Sequence, residues 1–531
     1  MHAVKVEVQK IKIGRCGLQM QAVSNTGGND KECRRLERNT PILQFNGNRA
    51  SHPVKQTVVK CVNEGGVGMG DIPPPDKSDV RIKLTFFHNA SIFAFYRFIF
   101  ESYIEYSTKV QYNQEKNIIL EKKRMKNDNK KIRVAIIGCG GFAGHFVPLF
   151  QAHPTVEWVK VCDLVLERAE KYRKKFGVEI IPSFDDAIAD DSINTIAIFT
   201  QRHTHGDLVV RALEAGKDVY SAVPMAITVE DCERIIEAVK RTGRIYMTGE
   251  TCIYYPSSMF CKERLERGDF GKFVYAESQY YHDLSHFPKV FNEDKPNSAV
   301  PPFFYPTHST AMVLHATNTH VVKVTAMGYE DREEDTPFAV GKNPWDNLFS
   351  NEFSLMRLSN GGVARVSECR RIGFKAPSSS IQSFYGTEGS YQFSNAQHIF
   401  SKLTPTGVEL EDVSDYVNPA AMTENKNDST EFKNLVANHG YQWSDPSPIQ
   451  QKDYERLPDS YREIPQINGH MASHQLLIHD FCTAVSEHKM PYVNAWRAAR
   501  YTIPGLIAHE SAKLGGVPLD VPDFGDPPDE L

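Results

Sequence analysis

A run of small residues, Gly138-Cys139-Gly140-Gly141-Phe142-Ala143-Gly144, follows the apolar segment Ile132–Ile137 and leads into a further segment of helical character. In a strand-turn-helix setting each small residue has a task. Gly138 permits the tight turn, Gly140 lets the backbone approach a pyrophosphate, and Ala143 or Gly144 lets helix and strand pack closely, with the anion at the helix N-terminus. Gly141 and Phe142 complete the loop. Asp163 lies 25 residues after Gly138, at the end of the next predicted strand. Its carboxylate suits ribose hydroxyls and repels a 2′-phosphate, and Leu164 beside it offers no positive charge, so the pattern predicts NAD rather than NADP. A glycine turn needed only for packing is the alternative. Thr200 to His205, after the third predicted strand, fall at the same carboxyl edge of the sheet, where a polar loop with a helix cap is the plainer reading.

A second group of residues could move protons. His308 closes the polar turn Tyr305-Pro306-Thr307-His308 just before an apolar stretch. An imidazole titrating near neutrality can take a hydroxyl proton while hydride leaves the same carbon; a helix-capping or core histidine is the alternative. Tyr280 and His282 alternate on a predicted strand and share one face, with Tyr281 on the other. An aromatic filling a sheet face explains Tyr280 equally well. Glu368, Arg370 and Arg371 follow a β run and could grip sugar hydroxyls or a carboxylate, or form a solvated edge. His470 with His474, and His282 with His286, have spacings that bind metals, but neither pair has a third ligand at suitable spacing, and no metal is expected. There is no paired-carboxylate signature of a conventional glycosidase and no G-x-S-x-G elbow.

The elements that must carry these residues are legible as rhythm. Short apolar runs alternate with amphipathic segments from Ile132, predicting strands over Ile132–Ile137, Val156–Cys162, Ile193–Phe199, Asp218–Ser221 and Ile245–Thr248. Helices Leu166–Phe176, His205–Ala215 and Val229–Arg241 fill the gaps. This is an α/β, doubly wound parallel sheet over residues 131–249. After Glu250 strands dominate (Phe273–Tyr281, Val321–Tyr329, Glu352–Leu358, Gly362–Cys369), closed by helices around His474–Glu487 and Ala495–Leu514. Residues 250–531 therefore read as an α+β domain with a largely antiparallel sheet.

Residues 1–124 show no sustained period and mix Gly65–Gly70 with Pro73-Pro74-Pro75. Met125 precedes the first convincing strand, so one expectation is that the chain starts there and the upstream part is a gene-model artefact; an extension that folds on a partner is the other. Residues 1–130 carry a net +9 and the remainder −14. The basic residues are scattered rather than grouped on one helix face, which argues against nucleic acid as a partner. An apolar share of 41% with 24% charged residues is that of a soluble globular protein. The ten cysteines contain no C-x-x-C pair and read as reduced thiols. Leu84–Phe100 is interrupted by His88, Asn89 and Arg97 and is too short to span a bilayer. Without a signal segment, cytoplasmic location is the default.

The Gly138–Ala143 run, Ala215-Gly216-Lys217-Asp218-Val219-Tyr220 leading to Pro224, and Tyr385-Gly386-Thr387-Glu388-Gly389-Ser390 together resemble the Gfo/Idh/MocA oxidoreductases over nearly all of residues 131–531. The resemblance implies a Rossmann domain joined to an open-sheet domain, a homo-oligomer, and oxidation or reduction of sugar and polyol hydroxyls with NAD. Many members carry Glu-Lys-Pro near this Pro, the Lys helping to move the proton of the reacting hydroxyl. This sequence has Ala222-Val223-Pro224. Glu250–Tyr254, Tyr280–Leu284 and Tyr305–His308 look like the NAD-dependent glycoside hydrolase family 109 subset, and Gly469-His470-Met471-Ala472 partly matches its Gly-His-Gly-Gly. The resemblance implies His308, Tyr280 and His282 as catalytic residues, Pro224, Thr200 and His205 beside the cofactor, and Glu250, Tyr254, Tyr305, Arg371 and His470 facing the substrate. The leading expectation is an NAD-dependent oxidoreductase acting on a secondary hydroxyl of a sugar or glycoside. Its rivals are a redox-neutral glycosidase with transient C3 oxidation and elimination, and a sensor that binds NAD and sugar without catalysis.

Overall fold

Strand β4 (Ile132–Ile137) is the centre of a six-stranded parallel sheet because its side chains are apolar on both faces and nearly all buried. The computed structural model describes residues 5–14, 17–23, 82–85, 131–284, 299–372, 379–393, 398–418, 446–464 and 470–529. They fall in two compact units, Met1–Met125 and Lys126–Leu531. In the smaller unit, strands β1 (Lys5–Gly14), β2 (Gly17–Val23) and β3 (Ile82–Thr85) form an antiparallel sheet in the order β2-β1-β3.

In the larger unit β4 is joined by β5 (Val156–Cys162), β6 (Glu179–Ile180), β7 (Thr195–Ile198), β8 (Asp218–Ser221) and β9 (Tyr246–Thr248), in the order β6-β5-β4-β7-β8-β9. The order reverses at β4, and the crevice beyond the carboxyl ends of β4 and β7 is where such sheets bind ligands. Helices α1 (Val147–Ala152), α2 (Leu166–Phe176), α3 (His205–Glu214) and α4 (Val229–Thr242) connect these strands. Helix α4 begins where Thr228 accepts a hydrogen bond from the Asp231 amide and ends at Gly243 in the left-handed region. The expected doubly wound architecture is present, with the third strand shortened to Thr195–Ile198.

The second sheet has nine strands: β10 (Phe273–Tyr281), β11 (Val321–Glu330), β12 (Phe349–Leu358), β13 (Val363–Cys369), β14 (Ser379–Gly386), β15 (Gly389–Phe393), β16 (His398–Thr404), β17 (Gly407–Asp412) and β18 (Leu519–Asp520). Their order is β17-β16-β15-β14-β10-β13-β12-β11-β18, antiparallel except for the β10–β13 pair. On β10, Ala276, Ser278 and Tyr280 point into the core while Tyr275, Glu277, Gln279 and Tyr281 stay half-exposed, the period of two expected of a sheet covered on one side.

The cover is helix α5 (Thr307–Thr317), buried on all sides from Thr307 to Ala316 and packed between this sheet and helix α7 (Ala495–Lys513). Helix α6 (His474–Glu487) packs against α1 and β4. Gly505 sits where α7 crosses the chain entering α5; a Cβ there would lie 2.7 Å from the Phe303 carbonyl oxygen and run into the Pro306 ring. The turn carrying Tyr305 and His308 is thus set by a helix that can approach only through a hydrogen atom.

Gly505→Ala is expected to lower stability by about 2 kcal/mol through overpacking that the backbone must absorb. Chemical denaturation reads this directly, and a midpoint equal to that of the unsubstituted chain would show that the turn yields freely.

Candidate active site

At the end of β4, Gly138 adopts φ +98°, and a Cβ there would stand 2.7 Å from the Phe199 carbonyl oxygen at the end of β7. Only glycine fits both constraints. Its amide donates to Cys162 O at 2.8 Å, tying the turn to β5. Gly140 and Gly141 are exposed, with no atom within 4 Å of where a Cβ would be, so the face that a dinucleotide backbone must approach is open. Ala143 is buried and starts a short 3-10 turn before α1. Asp163 Oδ2 accepts from the Cys139 amide at 2.7 Å and Oδ1 from Val165 at 2.8 Å, so this carboxylate braces the glycine loop. Loop, helix start and carboxylate fit NAD.

His205 is buried. Its Nδ1 meets the Pro224 carbonyl oxygen at 2.7 Å and its Nε2 that of Thr200 at 3.3 Å, clasping the loops after β7 and β8. Thr200 and Thr204 share a hydroxyl hydrogen bond of 2.7 Å. The structure thus makes His205 a clasp that shapes the cofactor edge. Val223, where the resemblance leads one to expect a Lys, is buried and apolar.

His308, at the start of α5, is 1% exposed. Its Nδ1 is 2.8 Å from Glu250 Oε1 and its Nε2 is 3.1 Å from the Tyr305 hydroxyl. Glu250 follows β9, is fully buried, and also accepts from the Cys252 amide at 2.9 Å. Burial pushes the Glu250 carboxyl up, but the His308 imidazole and these hydrogen bonds outweigh it and hold the group below its ordinary value. A carboxylate at Nδ1 fixes the proton there and leaves Nε2 as the acceptor. Glu250, expected to face substrate, instead stands behind His308.

Tyr280 lies against this pair, its ring centre 4.9 Å from that of His308, and its hydroxyl is 3.3 Å from His282 Nδ1. Burial raises the Tyr280 phenol well above its usual value, with Arg370, 5.5 Å over the ring, pulling the other way. His282 is pushed down to about 3 by burial and then by Arg370, His308 and Arg202. Glu368, beside Tyr280 in the β10–β13 register, accepts from Ser309 Oγ and, at 2.8 Å, from Arg370; burial pushes its carboxyl up to about 7 against the pull of Arg370. His470 reaches the cluster from a turn in which His470, Met471 and Ala472 all have φ between 48° and 63°. Its ring centre lies 6.4 Å from that of His308, 5.5 Å from Phe142 and 4.7 Å from His474.

Two of the residues assigned to substrate lie elsewhere. The Tyr254 hydroxyl bonds Asp480 and, at 2.8 Å, Arg456. It lines a separate surface cavity of about 610 Å³ together with His315 and Tyr492. Arg371 pairs with Asp331 at 3.3 Å and Asp335 at 2.7 Å, and it is Arg370 that turns into the cluster. Glu368 and Arg370, expected as a possible grip on sugar hydroxyls or a carboxylate, do join the cluster, whereas Ser309 and Arg202, whose guanidinium lies 4.8 Å over the Tyr305 ring, were not singled out. Arg202 falls in the Thr200–His205 loop, but nothing in the sequence aims it at Tyr305. Glu250, Cys252 and His308 bring one oxygen, one sulfur and one nitrogen within 4.8 Å of one another. The Glu250–His308 hydrogen bond already pairs two of these atoms, and burial holds the thiol protonated. The partner of His282 in the expected metal spacing, His286, and Gly469 lie outside the described residues.

Residues 132–250 match the model of an oxidoreductase family with an NAD-binding Rossmann fold, Gfo/Idh/MocA. Over 424 residues the chain is 23% identical to a glycosyl hydrolase family 109 protein of Streptomyces filamentosus, covering 74% of this chain and 77% of that one. It is 29% identical over 154 residues to an inositol 2-dehydrogenase of Salmonella typhimurium, covering 28% and 46%. Among solved structures, levoglucosan dehydrogenase in complex with NADH and levoglucosan superposes with a TM-score of 0.56 at 18% identity, covering 74% of this chain and all of that one. An oxidoreductase domain protein from Kribbella flavida superposes with a TM-score of 0.57 at 14% identity, with the same coverage. These structures share the two-domain fold.

Burial holds His153, His282, His315 and His470 neutral down to about 3, and His398 to about 4. Between the ordinary value near 6.5 and these values the unfolded chain takes up protons that the folded chain refuses, so stability is full above pH 6.5 and falls as pH drops. Glu368 acts oppositely, gaining its proton in the folded state first, but the histidines outnumber it. Urea midpoints are expected to fall steadily from pH 6.5 to 4.5, with a shallower slope in His315→Gln. A midpoint flat across that window would contradict the burial argument.

Proposed function

We propose that this chain, whose residues 132–250 are the NAD-binding Rossmann domain of a Gfo/Idh/MocA oxidoreductase, removes hydride from a secondary hydroxyl of a sugar or glycoside. The observation that carries this is the Glu250–His308 pair. A buried carboxylate on Nδ1 makes Nε2 a base at the only kind of place where a hydroxyl can lose its proton as hydride leaves the carbon. NAD, held by Gly138, Gly140, Gly141 and Asp163, supplies the hydride acceptor when bound. His308 takes the hydroxyl proton, Tyr305 hands Nε2 from its own hydroxyl to that of the substrate, and Phe142 and His470 close the side toward the glycine loop. The dyad supplies what the absent Lys would, with Val223 in that position keeping the pocket wall apolar.

A second acid/base pair favours an extended version. Tyr280 and His282 stand beside His308, and a simple dehydrogenase needs one proton acceptor rather than two. Oxidation at C3 acidifies the C2 proton; a base such as Tyr280 then removes it, the C1 substituent leaves, water adds at C1 as the proton returns to C2, and the hydride returns to C3. That cycle consumes no NAD. The long similarity to the family 109 protein supports this extension, and the inositol and levoglucosan dehydrogenases support the simple oxidation.

The outer face of the nine-stranded sheet leaves Met327, Tyr329 and Leu355 exposed on β11 and β12. We take a second copy of the chain as its cover, giving a homo-oligomer. No helix among the described residues is long and apolar enough to cross a membrane.

With NAD and a panel of sugars and aryl glycosides, NADH growth without aryl release identifies the dehydrogenase, and aryl release without net NADH the redox-neutral glycosidase. His308→Ala should lower either rate by about 10²–10⁴-fold. A variant that binds NAD and sugar normally and changes no rate leaves only a sensor. Light scattering should give a mass of at least two chains; a monomer that Met327→Glu leaves unchanged removes the oligomer.

A further inference from the structure

Nearly every charge around His308 is already answered from within the protein. Glu250 is bound by His308 and the Cys252 amide. Glu368 is bound by Ser309 and Arg370, and the remaining Arg370 donors reach the carbonyl oxygens of Cys369 at 3.1 Å and Pro302 at 3.2 Å. Arg202 is different. It sits on the 3-10 turn Arg202–Thr204 after β7, half-buried, with its guanidinium stacked 4.8 Å over the Tyr305 ring. No carboxylate among the described residues lies within ion-pair distance of it, and its side chain makes no hydrogen bond there. Burial, with Arg370 adding to it and Tyr305, Tyr280 and Glu368 opposing, pulls Arg202 down to about 10.

A guanidinium left this way presents a planar fork of donors that matches an oxyanion in two-point contact. The Tyr305 ring beneath it carries the hydroxyl that meets His308 Nε2, so the fork stands one aromatic ring away from the proposed base. The cofactor's phosphates do not answer it, since they belong to the glycine loop after β4, and an oxidised nicotinamide brings more positive charge to this edge. We propose that the substrate is an acidic sugar, and that Arg202 clamps its carboxylate while the reacting hydroxyl is presented to His308. This rests on the sugar-oxidation reading above and names the substrate class within it.

The test is calorimetric binding to the full chain loaded with NAD. The ligands are methyl glycosides in matched pairs, gluco, galacto and manno, whose members differ only in a hydroxymethyl or a carboxylate at C6. In the series that binds, the acid should bind at least about tenfold more tightly than its neutral twin, as a two-point charged contact implies. Arg202→Gln should bring the ratio to about one, and Arg202→Lys, which keeps charge and loses the fork, should leave it in between. Melting temperature and NAD affinity check that each variant is folded, and the Lys variant serves where the Gln variant is not. Neutral sugars that bind as well as acids, or a ratio unmoved by both substitutions, would overturn the clamp while leaving sugar binding intact. Failure of every pair to bind would instead remove the sugar reading, and the clamp with it.

Discussion

The contact between His308 and Glu250 is the constraint to which the rest of the larger unit answers. It joins the residue after β9 of the parallel sheet to the first turn of α5, the helix that covers the antiparallel sheet. Both groups are essentially without water, and a buried charged group that loses its hydrogen-bond partner costs several kcal/mol. The two halves of the unit are therefore held in one relative position by a polar contact that neither can replace with solvent. The Cys252 amide on one side and Tyr305 on the other remove the remaining freedom, and the close passage of α7 over Pro306 at Gly505 fixes the height of the turn.

The second consequence is electrostatic. Burying two carboxylates, Glu250 and Glu368, near one another would be unfavourable unless each had its own donor set, and each does. Their pairing leaves them in opposite states: Glu250 is held below its ordinary value and Glu368 is raised to about 7. The first is a fixed anion behind His308. The second anchors Arg370 over Tyr280, so that the phenol's desolvation is partly countered by a cation on its ring face.

Much of this was legible in the sequence, for local reasons. The parallel strands announce themselves as apolar runs at regular spacing, and the glycine loop and Asp163 are defined by position relative to those runs. Tyr280 and His282 follow from the period of a single strand. What was not legible depends on long-range register. Arg370 and Arg371 are equivalent in sequence, and only the pairing of β13 with β10 and β12 decides which turns toward Tyr280 and which toward Asp331. Glu250 and Tyr254 are grouped with the substrate only by the resemblance of their shared segment, yet Glu250 meets His308 and Tyr254 meets Asp480 on either end of the 3-10 turn. His470 was placed by resemblance alone, and its turn carries three consecutive left-handed residues that no periodicity signals.

The absent Lys takes its meaning from this geometry. Position 223 is buried, so an ammonium there would carry a desolvation cost that the apolar Val223 avoids. Among the described residues of the cluster, Arg202 is the cation with no carboxylate at ion-pair distance, and it lies over the Tyr305 ring whose hydroxyl meets His308. In the proposed reaction, proton transfer and charge recognition, which one Lys would have to combine, fall to separate residues. The proposed proton acceptor and the proposed anion clamp are then different groups, and the guanidinium, lowered only to about 10, keeps its charge at neutral pH.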